Sequence, residues 1–137
     1  MTNAERADRL LAIAGAVGDE MRLAAGHGHW NLAVRRAQEV VELTAKGLLN
    51  EMGFEYPRSH DPIPELIAML RQRGLDLDPA LADWWRDFSS ELADVRAPAF
   101  YQEISVHEGQ ARTAVAGAEK VLTLAADLLV RLRRPGA

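Results

Sequence analysis

The stretch WNLAVRRAQEVVELTAKGLLNEM, from Trp30 to Met52, carries two apolar stripes at once. Trp30, Ala33, Val34, Ala37, Val41, Ala45, Leu48 and Met52 recur at helical spacing, with Val40, Leu43 and Gly47 beside them. Residues three and four apart share a face of an α-helix, so the pattern predicts one helix with a wide apolar arc. Such a helix must be covered on more than one side. It belongs at the centre of its fold, and Gly53 stops it. Glu42 and Lys46 stand at i and i+4 in the favourable order, an arrangement that adds roughly 0.3 kcal/mol.

Working outward, four more segments show the same period. Upstream, Thr2 and Glu5 form a capping box, followed by the stripe Leu10, Ile13, Ala14, Val17, Met21, Ala24, and Gly26-His27-Gly28 closes the helix. Downstream, Pro57 and Pro62 keep residues 54–61 as a loop. A short helix follows, capped by Asp61 with Pro62 at its first position, striped by Ile63, Leu66, Ile67 and Leu70, and ended by Gly74. Asp78-Pro79 repeats the start signal for Leu81, Trp84, Trp85, Phe88, Leu92 and Val95, until Pro98 breaks the helix. Ser105-Val106-His107-Glu108 reads as a second capping box. It opens a last helix running to about Arg134, with Ala111, Ala114, Val115, Ala118, Leu122, Ala125, Leu129 and Leu132 inward. Arg131, Arg133 and Arg134 suit the negative end of its dipole.

No segment alternates apolar and polar residues between turns, so no sheet is predicted. Short connections imply antiparallel neighbours. The expected fold is all-α: an antiparallel up-and-down four-helix bundle with a short extra helix, one domain over residues 1–137.

Composition narrows the chemistry. The 48% of hydrophobic residues and 26% of charged ones suit a packed core without staples. There is no cysteine, which excludes disulfides, thiolate metal sites and cysteine nucleophiles. Acid and base are mixed from Glu5 and Arg6 onward, and no apolar run approaches spanning length, so a cytoplasmic protein without membrane association is expected. With a net charge of −4, RNA binding would need a local basic patch.

Several residue groups invite a chemical reading. His27-Gly28-His29 would chelate a metal at the surface, but reads first as a turn, and no Glu-x-x-His pair supports a di-iron site. No metal and no cofactor are expected. Ser59, Ser89, Ser90 and Ser105 lack a nucleophile-elbow context. His107 reads as part of a helix start. Trp84, Trp85 and Phe88 read as core or dimer packing rather than a base-stacking platform, and the alanine-rich face of the last helix is a second candidate for dimer contact. Two groups stand out. The loop Tyr56-Pro57-Arg58-Ser59-His60-Asp61 gathers a guanidinium, a hydroxyl, an imidazole and a carboxylate in four consecutive positions. Arg96-Ala97-Pro98-Ala99-Phe100-Tyr101 sends a cation from a tryptophan-bearing helix toward an aromatic hydroxyl.

The helix Ala33–Leu49, then Gly53, Tyr56-Pro57-Arg58-Ser59-His60-Asp61 and Leu66, with Arg96, Tyr101, Ala111, Ala114, Ala118 and Glu119 beyond, resembles the HEPN domain family. The resemblance implies a four-helix core forming a two-fold dimer. It also implies pairing with a minimal nucleotidyltransferase in toxin–antitoxin modules, metal-independent ribonuclease activity in some members, and nucleotide binding in others. Ribonuclease members carry an arginine followed, after four to six residues, by a histidine in the dimer cleft. Here Arg96 is followed after four residues by Tyr101, and tyrosine, with a pKa near 10, is a poor base at neutral pH. The expected protein is therefore a non-catalytic homodimer that binds a nucleotidyltransferase partner or a nucleotide-like ligand through Arg58, His60, Arg96 and Tyr101. The alternatives are a metal-independent ribonuclease using Arg96 with His60 or Tyr101, and a helical interaction module without ligand.

Overall fold

Five helices account for most of the computed structural model, which describes residues 1–56, 58–101 and 103–134. They are α1 (Asn3–Gly26), α2 (Trp30–Glu51), α3 (Ile63–Gln72), α4 (Pro79–Phe100) and α5 (Glu108–Leu132). No strand occurs among the described residues, and no helix among them is long and apolar enough to cross a membrane. Pro57, read above as a helix stop, lies outside the described residues.

The wide apolar arc of α2 is used as its pattern requires, because α2 packs against all four other helices. Val40, Val41, Leu48 and Leu49 are sealed from solvent and join Met21 of α1, Ile63, Leu66 and Leu70 of α3, Trp85 of α4 and Leu128 of α5 in one continuous core. Each such side chain contributes about 2 kcal/mol of hydrophobic stabilisation. The α1 start behaves as its sequence dictates: Thr2 Oγ1 accepts the Glu5 N–H at 3.1 Å, while Glu5 accepts from the Thr2 N–H. At the far end of α2, Gly53 takes φ +81°, the left-handed turn that L side chains resist.

Four local expectations are corrected. Pro98 does not break α4, which continues to Phe100. A proline inside a helix removes one hydrogen bond and costs about 3 kcal/mol. Here the last turn is held from outside: Asn31 of α2 donates to the Ala99 carbonyl at 3.2 Å, and Tyr101 and Glu103 N–H groups close on Ala97 and Pro98. The α5 cap lies two residues beyond the Ser105–Glu108 box, where Gln110 Oε1 accepts from the His107 N–H at 3.2 Å. Asp61 does not cap α3, because its carboxylate is engaged by Ser89 Oγ of α4 at 2.5 Å. The stripes of α1 and α5 are met in part: Ala14, Met21, Ala24, Ala111, Ala114, Ala118 and Ala125 are buried as expected, but the buried face is shifted around them. Ala7, Gly18, Gly117, Val121 and Leu128 are buried, Ile13 is 44% exposed, and Leu122, Leu129 and Leu132 are half-buried.

Gly117 shows why the buried face of α5 extends beyond its expected stripe. A Cβ there would lie 2.3 Å from the ring of Phe88, so the absence of a side chain lets α4 and α5 close on each other. The Trp84–Val95 stripe and the alanine face of α5, both candidates for dimer contact, supply Trp85, Leu92, Ala111, Ala118 and Ala125 to the chain's own core. At the opposite end of the molecule, Arg133 serves more than the helix dipole. Its guanidinium reaches Glu51 of α2 at 2.7 Å and Asp8 of α1 at 2.9 Å, tying three helix ends together. These two carboxylates, Glu51 first, hold its pKa above the ordinary arginine value.

Candidate functional site: a polar seam between α2 and α4

Asn31, Arg35, Gln38, Glu42 and Lys46 stand at offsets 0, 4, 7, 11 and 15 along α2. At about 100° per residue they fall within one narrow strip of the helix surface. On an otherwise apolar helix, such a strip must find polar partners or water. Its partners come from the loop before α3 and from α4.

Glu42 is the node of the lower half. Its Oε1 accepts from Gln38 Nε2 at 3.0 Å and faces His60 Nδ1 at 2.7 Å, and its Oε2 accepts from Lys46 Nζ at 2.8 Å. Burial pushes the Glu42 pKa upward, but the hydrogen bonds from Gln38, Lys46 and His60, with the charge of Lys46, outweigh it and leave the pKa below the ordinary carboxylate value. Because the carboxylate only accepts, His60 donates from Nδ1 and turns Nε2 outward from a side chain that is 56% exposed. Gln38 also donates to the His60 carbonyl at 3.0 Å, and the Asp61 N–H donates to Ser59 Oγ at 3.0 Å. The loop is thus sewn to α2 through Glu42 and Gln38, and to α4 through the Asp61–Ser89 bond.

The upper half is built differently. Asn31 is a hub for the α4–α5 connection: Nδ2 donates to the carbonyls of Ala99 and Ile104, and Oδ1 accepts the Val106 N–H at 2.9 Å. On α4, Trp85, Ser89, Leu92, Arg96 and Ala99 form a single stripe at offsets 0, 4, 7, 11 and 14. Arg96 therefore lies on the inward stripe, roughly 10 Å along the axis from Ser89. It is half-buried, and its Nε is buried without a hydrogen-bond partner among the described residues. Arg35 of α2 lays its guanidinium on the Phe100 ring, with Cζ 3.4 Å from the centroid, and its buried Nε forms no hydrogen bond among the described residues but lies 3.6 Å from the Glu39 carboxylate.

The four residues singled out from sequence are placed unequally. His60 is bound into the Glu42 network, while Arg58 is exposed on the same loop. Because α4 runs through Pro98, Arg96 and Tyr101 point about 140° apart around the helix axis. Tyr101 is 68% exposed and packs edge-on against Phe100, the ring centroids 4.8 Å apart. A pocket of about 410 Å³ between α4 and α5 takes in Phe88, Leu92 and His107, but none of these four residues. His27 and His29 stack at 5.8 Å in the α1–α2 turn.

A family model for the HEPN domain matches residues 7–128. The chain belongs to the HEPN domain family. No curated protein and no solved structure matches it. Within this HEPN domain the seam joins two segments that carried the resemblance, the loop before α3 and the last turns of α4. Among the residues it adds that sequence reading did not select for the site are Asn31, Arg35, Gln38, Glu42 and Phe100. Their signal was present in the regular polar spacing on α2, which the two apolar stripes overshadowed. Phe100 could have been found by its i+4 relation to Arg96, had Pro98 not been read as a break.

Proposed function

We propose that this HEPN protein is a non-catalytic homodimer that binds a nucleotide-like ligand or a nucleotidyltransferase partner, as in a toxin–antitoxin module. Its helices α1, α2, α4 and α5 would form an up-and-down four-helix core, with α3 as the short extra helix, in a cytoplasmic protein. Dimerisation would bring two copies of Arg96 to one cleft rimmed by the exposed side chains of Leu32, Phe100, Tyr101 and Ile104.

One observation carries the binding part: among the described residues, Arg96 Nε is buried without a hydrogen-bond acceptor, and Arg35 Nε has only the Glu39 carboxylate near it, at 3.6 Å. Buried guanidinium donors are stabilised by an anion. The non-catalytic part rests on Tyr101, which occupies the place of the histidine of ribonuclease members, faces away from Arg96 and is open to solvent. RNA incubated with the pure protein is expected to stay intact, with Arg96→Ala as control. Cleavage that depends on Arg96 would overturn this reading, and size-exclusion chromatography with light scattering is expected to return a dimer.

A second reading is supported by the His60–Glu42 pair. An imidazole oriented by a carboxylate, with Nε2 outward, is the arrangement of a general base. In that case the protein is a metal-independent ribonuclease in which His60 takes the 2′-hydroxyl proton and Arg96 stabilises the phosphate. Cleavage that survives EDTA and is lost in His60→Ala favours it. If Arg58→Ala and Arg96→Ala alter nothing but stability, the plain interaction module is left.

A further inference from the structure

Phe88 of α4 lies against the bare backbone of α5, because Gly117 has no side chain to hold its ring away. Beside that ring the two helices part, and α5 presents only small residues there, Gly109, Thr113 and Ala114. The space between them is the pocket of about 410 Å³. Small-molecule sites occupy about 300–1,000 Å³, so a compact organic ligand fits. The floor is apolar: Val34, Phe88, Leu92, Val106 and Ala114 line it, and all five are buried.

The mouth has a different character. Glu91 stands there on α4, with Gln110 and Thr113 on α5. Gln110 uses its Oε1 on the His107 N–H, and Thr113 donates its hydroxyl to the Gly109 carbonyl at 3.0 Å, which leaves the Thr113 oxygen as an acceptor. Glu91 is exposed and makes no ion pair among the described residues, His107 at the same pocket included. Other cations of α4 and α5 are engaged elsewhere: Arg86 with Asp83 at 3.0 Å, Arg112 with Glu108 at 2.7 Å, and Lys120 over the Trp84 ring at 3.9 Å. Arg96 is turned about 140° around the helix from Glu91. Asp87 and Asp94, four residues before Glu91 and three after it, share its face, and like charges at that spacing repel. A bound cation would relieve that repulsion.

A carboxylate without a counter-charge above a hydrocarbon floor sorts ligands by both ends. The floor takes an apolar body, the mouth takes a positive head, and an anion meets like charge in a protein of net charge −4. We infer that this pocket binds a small amphiphilic organic cation, an arylalkylamine, with its hydrocarbon against Phe88, Leu92 and Ala114 and its ammonium at Glu91 and Thr113. None of Arg58, His60, Arg96 and Tyr101 lines the pocket, so the site is separate from the proposed nucleotide site.

Titration calorimetry of the full chain with phenethylamine, phenethyl alcohol and hydrocinnamate tests it, by placing an ammonium, a hydroxyl and a carboxylate on one hydrocarbon body. The amine is expected to bind tightest and the carboxylate weakest. Glu91→Gln should weaken the amine by about fivefold and leave the alcohol unchanged. Added salt should likewise weaken the amine alone. Ala114→Phe should fill the floor and remove binding of both. Should circular dichroism show that this variant does not fold, Thr113→Trp at the exposed mouth takes its place. The inference falls if hydrocinnamate binds as tightly as the amine, or if Glu91→Gln binds the amine like the wild type. It falls equally if the folded blocking variant still binds, or if the wild type binds none of the three.

Discussion

Arginine is used in opposite ways at the two ends of α2. At its C-terminal end, Arg133 meets Glu51, Asp8 and the Ala4 carbonyl, all between 2.7 and 3.2 Å. Near its N-terminal half, Arg35 and Arg96 bury Nε donors that form no hydrogen bond among the described residues, with Glu39 3.6 Å from Arg35 Nε, and Arg35 lays its flat face on a phenylalanine ring. The first arrangement closes on itself and holds helix ends in place. The second costs stability as it stands, because a buried polar group without a partner forfeits about 1–3 kcal/mol. A closed charge cluster serves the fold; an open one is intelligible when something outside the chain completes it.

That contrast can be broken, beginning where the largest effect is expected. Glu42 belongs to the closed type, so Glu42→Ala should strand Lys46, Gln38 and His60 together and cost about 3 kcal/mol in urea unfolding. A loss under about 1 kcal/mol would mean the loop is not held through this carboxylate. The same residue predicts a pH response. Its folded pKa lies below the ordinary value of 4.5, so its stabilisation is fully present above that value and is lost as pH falls below it, through the folded pKa. The urea midpoint of the wild type should therefore drop on that acidic limb more steeply than that of Glu42→Gln. Equal slopes would show that Glu42 binds protons alike in both states.

Smaller effects sharpen the difference between the ends. Arg133→Ala should lower stability by about 1 kcal/mol, because its ion pairs are partly exposed, and added salt should narrow the gap to wild type. Arg96→Ala should move the thermal midpoint least, within about 0.5 kcal/mol or toward greater stability, since it removes an unsatisfied buried donor. A large loss in Arg96→Ala by calorimetry would place that guanidinium among the structural group and erase the distinction.

Helix number, helix starts at Thr2 and Asp78 and the central place of α2 were legible because they follow from local spacing and capping, which act within a few residues. Pro98 was misread because the groups that rescue its turn, above all Asn31, lie far away in sequence. The same remoteness hid the fate of Asp61, whose carboxylate prefers a serine 28 residues away to the nearest helix start. Of the candidate site, His60 and Arg96 were picked out by residue type. Glu42, which holds His60, and Arg35 were not, since a charged residue on a helix reads as solvated until a neighbouring segment covers it. Glu42–Lys46 in particular looked like an ordinary surface pair, but both side chains are about 15% exposed and hold the loop.

The central position of α2 makes its length a fixed quantity. Inserting or deleting one residue between Asn31 and Leu48 would turn everything beyond that point by about 100°. The sockets that receive Val41 and Leu48 in the interior would be misaligned in the same stroke as the polar strip from Asn31 to Lys46. A one-residue insertion is therefore expected to be tolerated far better in a connection, such as residues 73–78, than within this rod.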